Sequence, residues 1–490
     1  MSPVRVHSDT YVDSVLLLGA TRAMRENPAV RFATVVMATP ANVDDIRRAG
    51  IDDPALARVS ANDLVLAVDS ADPEAGAAAI DAGEAALFAA CRRRSSNGAG
   101  AEAPARTIEQ AGARLPEANV AVVSVPGPYA AIEAHHALGR GLHVLLFSDD
   151  VAVEEEVELK DRALALGRLV MGPGAGTAVL GGCGLGFANV VAPGRVGVVA
   201  AAGTGAQEVM SLLDRWGQGV TQVIGVGGRD LSHRVGGRMA RAAVRALDAD
   251  PATDVILLVS KPPADDVARA VIGEATTTPL VAALIGPPAP IDVDPRHRVV
   301  TTLEAGAAEA LRVLGHDPPD VVADLAADVK TAMAPLDPSR SAIRGLFSGG
   351  TLCYEALVLL GRTGRRVHSN TPLDPSLGLP APPGADVCLD LGEEEYTRGR
   401  PHPMIDPEAR LAWLDEAGGD GSVAAILLDV VLGLGAHDDP AGVLAPACER
   451  ITSGGGPAVI AHVLGTSADP QGLAEQRRRL RQAGCLVAPT

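Results

Sequence analysis

Two helix openings in this sequence share one pattern, and the pattern suits an anion. Gly203-Thr204-x-x-x-Glu208 follows one apolar run, and Gly350-Thr351-x-x-x-Glu355 follows another, 147 residues further along. A glycine turn that ends a strand and opens a helix exposes free N–H groups at the positive end of the helix dipole. A phosphate or carboxylate can be held there without a cationic side chain. Gly203, Thr204, Gly205, Gly350 and Thr351 are therefore candidate anion ligands, and Thr204 can also cap its helix. Glu208 and Glu355 stand near enough to orient a ligand or a base. A tight turn with a solvated glutamate is the rival reading of each copy, and the repetition argues against it.

A second glycine turn, GVGGRDLS from Gly225 to Ser232, closes the next apolar run. Gly227 and Gly228 permit close backbone approach, Arg229 offers a planar fork of donors, and Asp230 can cap the following helix. A capped loop with a surface arginine is the alternative. The loop DLGEEEYTRGRPHPMIDP, Asp390 to Pro407, mixes three glutamates with Arg398, Arg400, His402 and Asp406 directly after an apolar run. Prolines on both sides of His402 would hold its ring in place, as acid/base work requires. Arg398 and Arg400 are candidate substrate ligands. Lys261 in SKPP reads equally as a ligand contact or a surface lysine, and Asn42, Asp149 and Asp150 read as helix caps.

The elements that must position these groups are short, continuously apolar runs alternating with helical stretches. That pattern is a parallel sheet covered on both faces, and ligands of such sheets bind outside the carboxyl ends of the strands. At 490 residues the chain is too long for one core. Composition shifts divide it into a small N-terminal α/β domain (1–94), a linker (95–117), a Rossmann-like domain (118–194), a first flavodoxin-like domain (195–315), a linker (316–340) and a second flavodoxin-like domain (341–490). A net charge of -18 and 2% aromatic residues argue against nucleic acid as a partner. Six scattered cysteines without a C-x-x-C pair argue against a disulfide framework or a metal site and suit a reducing cytoplasm. No apolar stretch reaches the ~18 residues of a membrane span.

GRLVMGPGAGT, AAAGTGAQE, GVGGRDLS, VSKPP and GRPHPMIDP, in this order, resemble the FdrA proteins, relatives of succinyl-CoA synthetase, over nearly the whole chain. The resemblance implies an α/β architecture: a CoA-binding-type Rossmann domain and two succinyl-CoA ligase-like domains, without an ATP-grasp module. It also implies one phosphate site shared by the two Gly-Thr helices. Glu208 takes the motif position of the glutamate that contacts the phosphorylated histidine of the synthetase α subunit. That histidine's G-H-A-G-A segment is absent, and PPAPIDVDP follows the strand PLVAALIG instead. The implied activity is carbamoyl transfer from carbamoyl phosphate to a small amide or acid such as oxamate, with Glu208, Glu355 and His402 handling protons. Partner subunits and homo-oligomerisation are implied with it. CoA is the second candidate ligand, in an acyl-CoA synthetase-like enzyme that would bind it near VPGPYAA. A non-catalytic scaffold is the third reading, because GPGAGT and AAAGTG depart from the family's GPDCGT and its Gly-Ala-Ser before the Gly-Thr turn.

Overall fold

The computed structural model describes residues 4–10, 12, 14–96, 105–286, 291–321, 325–326, 329–330, 336–397 and 401–490. The chain divides into two compact units, Met1–Pro104 with Glu394–Pro401, and Ala105–Glu393 with His402–Thr490.

The first unit has strands β1 (Val4–His7), β2 (Val30–Met37) and β3 (Leu64–Ser70) and helices α1 (Ser14–Arg25), α2 (Pro40–Arg48) and α3 (Pro73–Ser96). Strands and helices alternate as the sequence suggests, but β3 lies centrally and antiparallel to both neighbours. Leu64 to Val68 are buried, and a strand buried on both faces reads as one apolar run whichever way its neighbours point. Helix α3 continues past residue 94, and the expected linker 95–117 contains helix α4 (Ile108–Arg114).

The second unit opens with a three-stranded parallel sheet of β4 (Val120–Val123), β5 (His143–Leu146) and β6 (Val170–Met171), connected through α5 (Gly127–Gly139) and α6 (Val153–Ala165). The hairpin β7 (Thr177–Leu180) and β8 (Cys183–Gly186) falls inside the range 118–194 expected for this domain, yet it belongs to the next sheet. That sheet adds β9 (Pro193–Ala200), α7 (Gly203–Arg215), β10 (Val220–Gly225), α8 (Arg238–Asp248), β11 (Val255–Ser260), α9 (Asp265–Ile272), β12 (Leu280–Leu284), β13 (Arg298–Val300) and α10 (Leu303–Val313). Its strand order is β13-β12-β11-β9-β10-β7-β8. The parallel part therefore places the first strand between the second and third, which is the flavodoxin-like order.

The last domain keeps this arrangement with the short strand β15 added at the edge, so that its first strand lies between the third and the fourth. Strands β14 (Ala342–Phe347), β15 (Val367–His368), β16 (Asp386–Asp390), β17 (Val423–Val431), β18 (Ala458–Leu464) and β19 (Leu486–Ala488) run β15-β16-β14-β17-β18-β19, all parallel, with α11 (Gly350–Arg362) following β14. The two domains share one core, in which Ala202, Ala206 and Val259 belong to the same apolar cluster as Phe347, Leu352 and Cys353.

Candidate functional site

In both flavodoxin-like domains the first strand ends at the switch point of the sheet, where ligands bind. Helices α7 and α11 open just beyond these ends, and neither first turn has a side-chain cap. The two first turns touch: the Thr351 N–H donates to Thr204 Oγ1 at 3.2 Å, across the same 147 residues that separate the repeated motifs. A Cβ on Gly349 would stand 2.8 Å from Thr204 Cγ2, and one on Gly205 would stand 3.0 Å from Thr351 Cγ2. Glycine at both positions is what lets the helices approach. A cavity of about 460 Å³ opens here, and Gly203, Thr204, Gly227, Gly228, Gly350 and Thr351 all line it. Gly205 lies behind the tips, against Thr351 and Val259.

Buried charge holds the Gly227–Gly228 wall. Lys160, fully buried on α6, donates to the Val226 carbonyl at 3.0 Å, to Glu156 at 2.7 Å and to Asp230 at 2.8 Å. Asp230 also accepts the Met239 and Ala240 N–H groups that open α8. Arg229 bonds the Val151 carbonyl and Glu156. Neither Arg229 nor Asp230 lines the cavity. Both are engaged in tying α6 to this loop: Asp230 caps the following helix as its sequence position suggests, and Arg229 is held by α6 and its N-terminal loop.

The two glutamates of the repeat also point elsewhere. Five residues beyond the first glycine is almost one and a half helical turns, which carries the side chain down the flank and away from the helix tip. Glu208 Oε2 lies 2.7 Å from His462 Nε2, and Glu355 Oε1 accepts the Leu303 N–H at 2.7 Å. Neither lines the cavity. A role for them in moving protons on a bound substrate gives way to joining the domains. Arg398 and Arg400 lie outside the described residues.

His402 does line the cavity, but its chemistry differs from the one expected. Its Nδ1 accepts the Met404 N–H at 3.2 Å, which leaves the ring proton on Nε2 by inference from the hydrogen bond. Burial, offset in part by Asp429, pushes its pKa down to about 4. At neutral pH the ring is an uncharged donor and a poor base.

Three more residues complete the site: Lys261, which the sequence left open between ligand contact and surface lysine, and Ser348 and Asp390, which it did not single out. Lys261, at the end of β11, is the cation on the cavity wall, with its Nζ also 5.6 Å from the Tyr354 ring centre. Ser348 lines the wall with its N–H and hydroxyl donating to Asp429 Oδ1. Asp390, at the end of β16, is 3% exposed, and its pKa is raised to about 7, chiefly by burial and then by Glu393. Its position as the last residue of a buried strand was the available signal. Together the cavity offers the helix N–H groups of Gly203, Thr204 and Gly350, the Lys261 ammonium, a neutral imidazole donor, the Asp149 and Glu393 carboxyl groups, and the Asp390 carboxyl poised between its two forms.

A family model described as CoA-ligase matches residues 346–490, and one described as AllF, heavy metal-associated domain, matches residues 1–104. The protein named "Uncharacterized protein YahF" of Escherichia coli K12 is 37% identical over 99% of this chain and 95% of its own length. The chain belongs to the YahF family. The ADP-forming sulfoacetate-CoA ligase subunit SauD of Bilophila wadsworthia is 30% identical over 35% of this chain and 61% of its own length. Subunit alpha 2 of the ADP-forming succinate–CoA ligase of Archaeoglobus fulgidus is 28% identical over 30% and 52%. This YahF-family chain thus spans about half to three-fifths of those ligase subunits, and it is related to the acyl-CoA synthetase superfamily. Residues 1–104 contain one cysteine, Cys91. Among the described residues no group of three or more His, Cys, Asp or Glu is placed to hold a metal ion. No helix among them is long and apolar enough to cross a membrane.

Proposed function

We propose that this chain is a CoA-ligase-type enzyme subunit that holds an acyl phosphate in the cavity and passes the acyl group to CoA. The observation that carries the reading is the contact of two uncapped helix tips from two domains beside Lys261. The CoA thiolate attacks the acyl carbon, and the bond from that carbon to the phosphate oxygen breaks. The departing phosphate is stabilised by the N–H groups of Gly203, Thr204 and Gly350 and by Lys261, and it takes up the thiol proton. CoA is supported by the matched CoA-ligase model and the ligase relatives. The start of α5 suits such a ligand: the helix has no side-chain cap, and Tyr129 and Ile132 on its first turns are 64% and 56% exposed.

The narrower reading, an FdrA-type subunit that transfers the acyl group of carbamoyl phosphate to oxamate, uses the same phosphate site with a nitrogen acceptor. Nothing in the relatives favours carbamoyl phosphate over other acyl phosphates, so CoA is the leading acceptor. Partner subunits and self-association belong to either version. The test is calorimetry and phosphate release with acetyl phosphate and carbamoyl phosphate, each with CoA or oxamate. CoA-dependent phosphate release, weakened by Lys261→Met, supports the main reading, and oxamate-dependent release from carbamoyl phosphate alone supports the narrower one. No heat from either acyl phosphate or from inorganic phosphate at millimolar concentration rules out both.

A further inference from the structure

We infer that Asp390 makes anion binding in this cavity proton-linked: a divalent anion binds at the tip of α11 far more tightly while Asp390 is in its acid form, so binding to the protein with Asp390 ionised takes up one proton. The inference rests on the anion-site reading above and adds to it a residue and a proton count.

The geometry leaves the Asp390 carboxyl no retreat. Asn370 clamps its backbone from both sides, accepting the Asp390 N–H at 2.9 Å and donating to its carbonyl at 3.0 Å. Oδ1 accepts the Gly392 N–H at 3.0 Å. Oδ2 takes no hydrogen bond among the described residues and lies hard against Gly350, the first residue of α11, where any side chain would collide with it. The free oxygen therefore lies beside the first residue of the helix whose tip would draw an anion.

Its surroundings cannot neutralise it fully. Glu393 follows it in the chain, Asp429 faces it from β17, and the Cys353 thiol faces it from α11. His402 shares the cavity wall uncharged, Asp149 adds a further carboxyl to that wall, and Lys261 is the cation opposing these groups. This balance, with burial, puts its titration near 7. An ionised carboxylate a few ångströms from a dianion would repel it on the order of a hundredfold in affinity, whereas the acid form donates a hydrogen bond to it.

Sulfate is the probe, because it stays a dianion across the range. In wild type the sulfate Kd should be flat below pH 7 and should rise about tenfold per unit above it. Calorimetry at pH 8 in two buffers of different ionisation enthalpy should show close to one proton taken up per sulfate. Asp390→Asn should bind with a Kd that does not change between pH 6.5 and 8.5 and with no proton uptake. That control also separates Asp390 from Glu355, which titrates in the same range but does not line the cavity. A flat wild-type Kd, or proton uptake that persists in Asp390→Asn, overturns the inference while leaving the anion site standing. Absence of sulfate and phosphate binding even at pH 6 overturns the anion site itself and this inference with it. If Asp390→Asn fails to fold, the proton count is repeated in Glu355→Gln, where uptake that persists supports Asp390 and uptake that disappears overturns the inference.

Discussion

The two flavodoxin-like domains carry the same Gly-Thr-x-x-x-Glu junction and use it differently. Glu208 is buried, which alone would raise its pKa, yet His462, Arg215 and Arg477 together hold it below the usual carboxylate range. Glu355 has one N–H donor and faces Glu208 and Glu304, and burial raises it to about 7. The difference extends to the strand behind. Val259 pairs with Ala200 three residues before Gly203. In the second domain Asp429, next after the Leu346–Leu428 pair, stands at that place and receives the Ser348 and Gly349 N–H groups. The repeat keeps the backbone junction and lets the side chains diverge, as expected if the ligand is served by main-chain donors. The first domain then supplies the cation Lys261, and the second supplies the titrating acid Asp390.

The largest effect should come from the buried charge that only the second domain carries. Arg410 and Asp429 are 1% and 0% exposed and pair at 2.9 Å. Arg410→Leu strands Asp429 in the core and should cost about 3–5 kcal/mol in urea unfolding. The double variant Arg410→Leu with Asp429→Val copies the first domain's apolar arrangement. It should regain part of that loss while releasing the Ser348–Gly349 turn and weakening anion binding. A loss under about 1 kcal/mol for Arg410→Leu would break the contrast.

The paired glutamates come next, and they should respond to pH in opposite directions. Glu355 is raised in the folded state, so its stabilisation is complete below its unfolded value near 4.3 and is lost as pH rises through about 7. Glu355→Gln should be close to neutral at pH 4 and more stable than wild type by about 3 kcal/mol at pH 8. Glu208 is lowered in the folded state, so its contribution is present above its unfolded value and is lost as pH falls through its folded one. Glu208→Gln should destabilise by about 3 kcal/mol at neutral pH and lose the wild type's acid sensitivity. Melting temperatures of both variants from pH 4 to 8.5 test this, and shifts of the same sign at pH 8 would refute it.

The equivalent glycines give a smaller contrast. A Cβ on Gly203 has Thr177 Oγ1 as its nearest neighbour at 3.9 Å, whereas one on Gly350 would strike the Asp390 carboxyl. Gly350→Ala should weaken sulfate binding at least tenfold at pH 6.5, about 1.4 kcal/mol, and Gly203→Ala by less than about threefold. Equal losses would mean that the helix tips serve the anion alike.

Much of this scaffold is legible in the sequence, because parallel strands buried on both faces read as unbroken apolar runs and their ends mark the switch points. VGVVAA before Gly203 and the run before Gly350 were enough to predict two tandem junctions. The strand Thr177–Leu180 was not visible as part of the neighbouring sheet, since its pairing to β10, Val179 with Val223, joins elements 44 residues apart through a four-residue strand. The glutamates misled because residue spacing along a helix does not say which neighbour covers its flank, and His462 arrives from 254 residues away. Asp390 and Lys261 are single residues at strand ends, with no spacing pattern to flag them, and only the meeting of the two sheets gives them a common cavity.

The smallest test concerns the threonines that follow the glycines. Thr204 Oγ1 accepts the Thr351 N–H, whereas no hydrogen bond of the Thr351 hydroxyl occurs among the described residues, where its methyl faces Gly205. Thr204→Val keeps the shape and removes the acceptor, so the cost is one hydrogen bond and a donor left without it, about 1 kcal/mol. Thr351→Val leaves its own N–H in place and should change stability by less than about 0.5 kcal/mol. The orphaned Thr351 N–H would itself face the cavity. Thr204→Val should therefore bind sulfate at least as tightly as wild type despite the lower stability, and a parallel loss of both would show that the contact positions the helix tips for the anion.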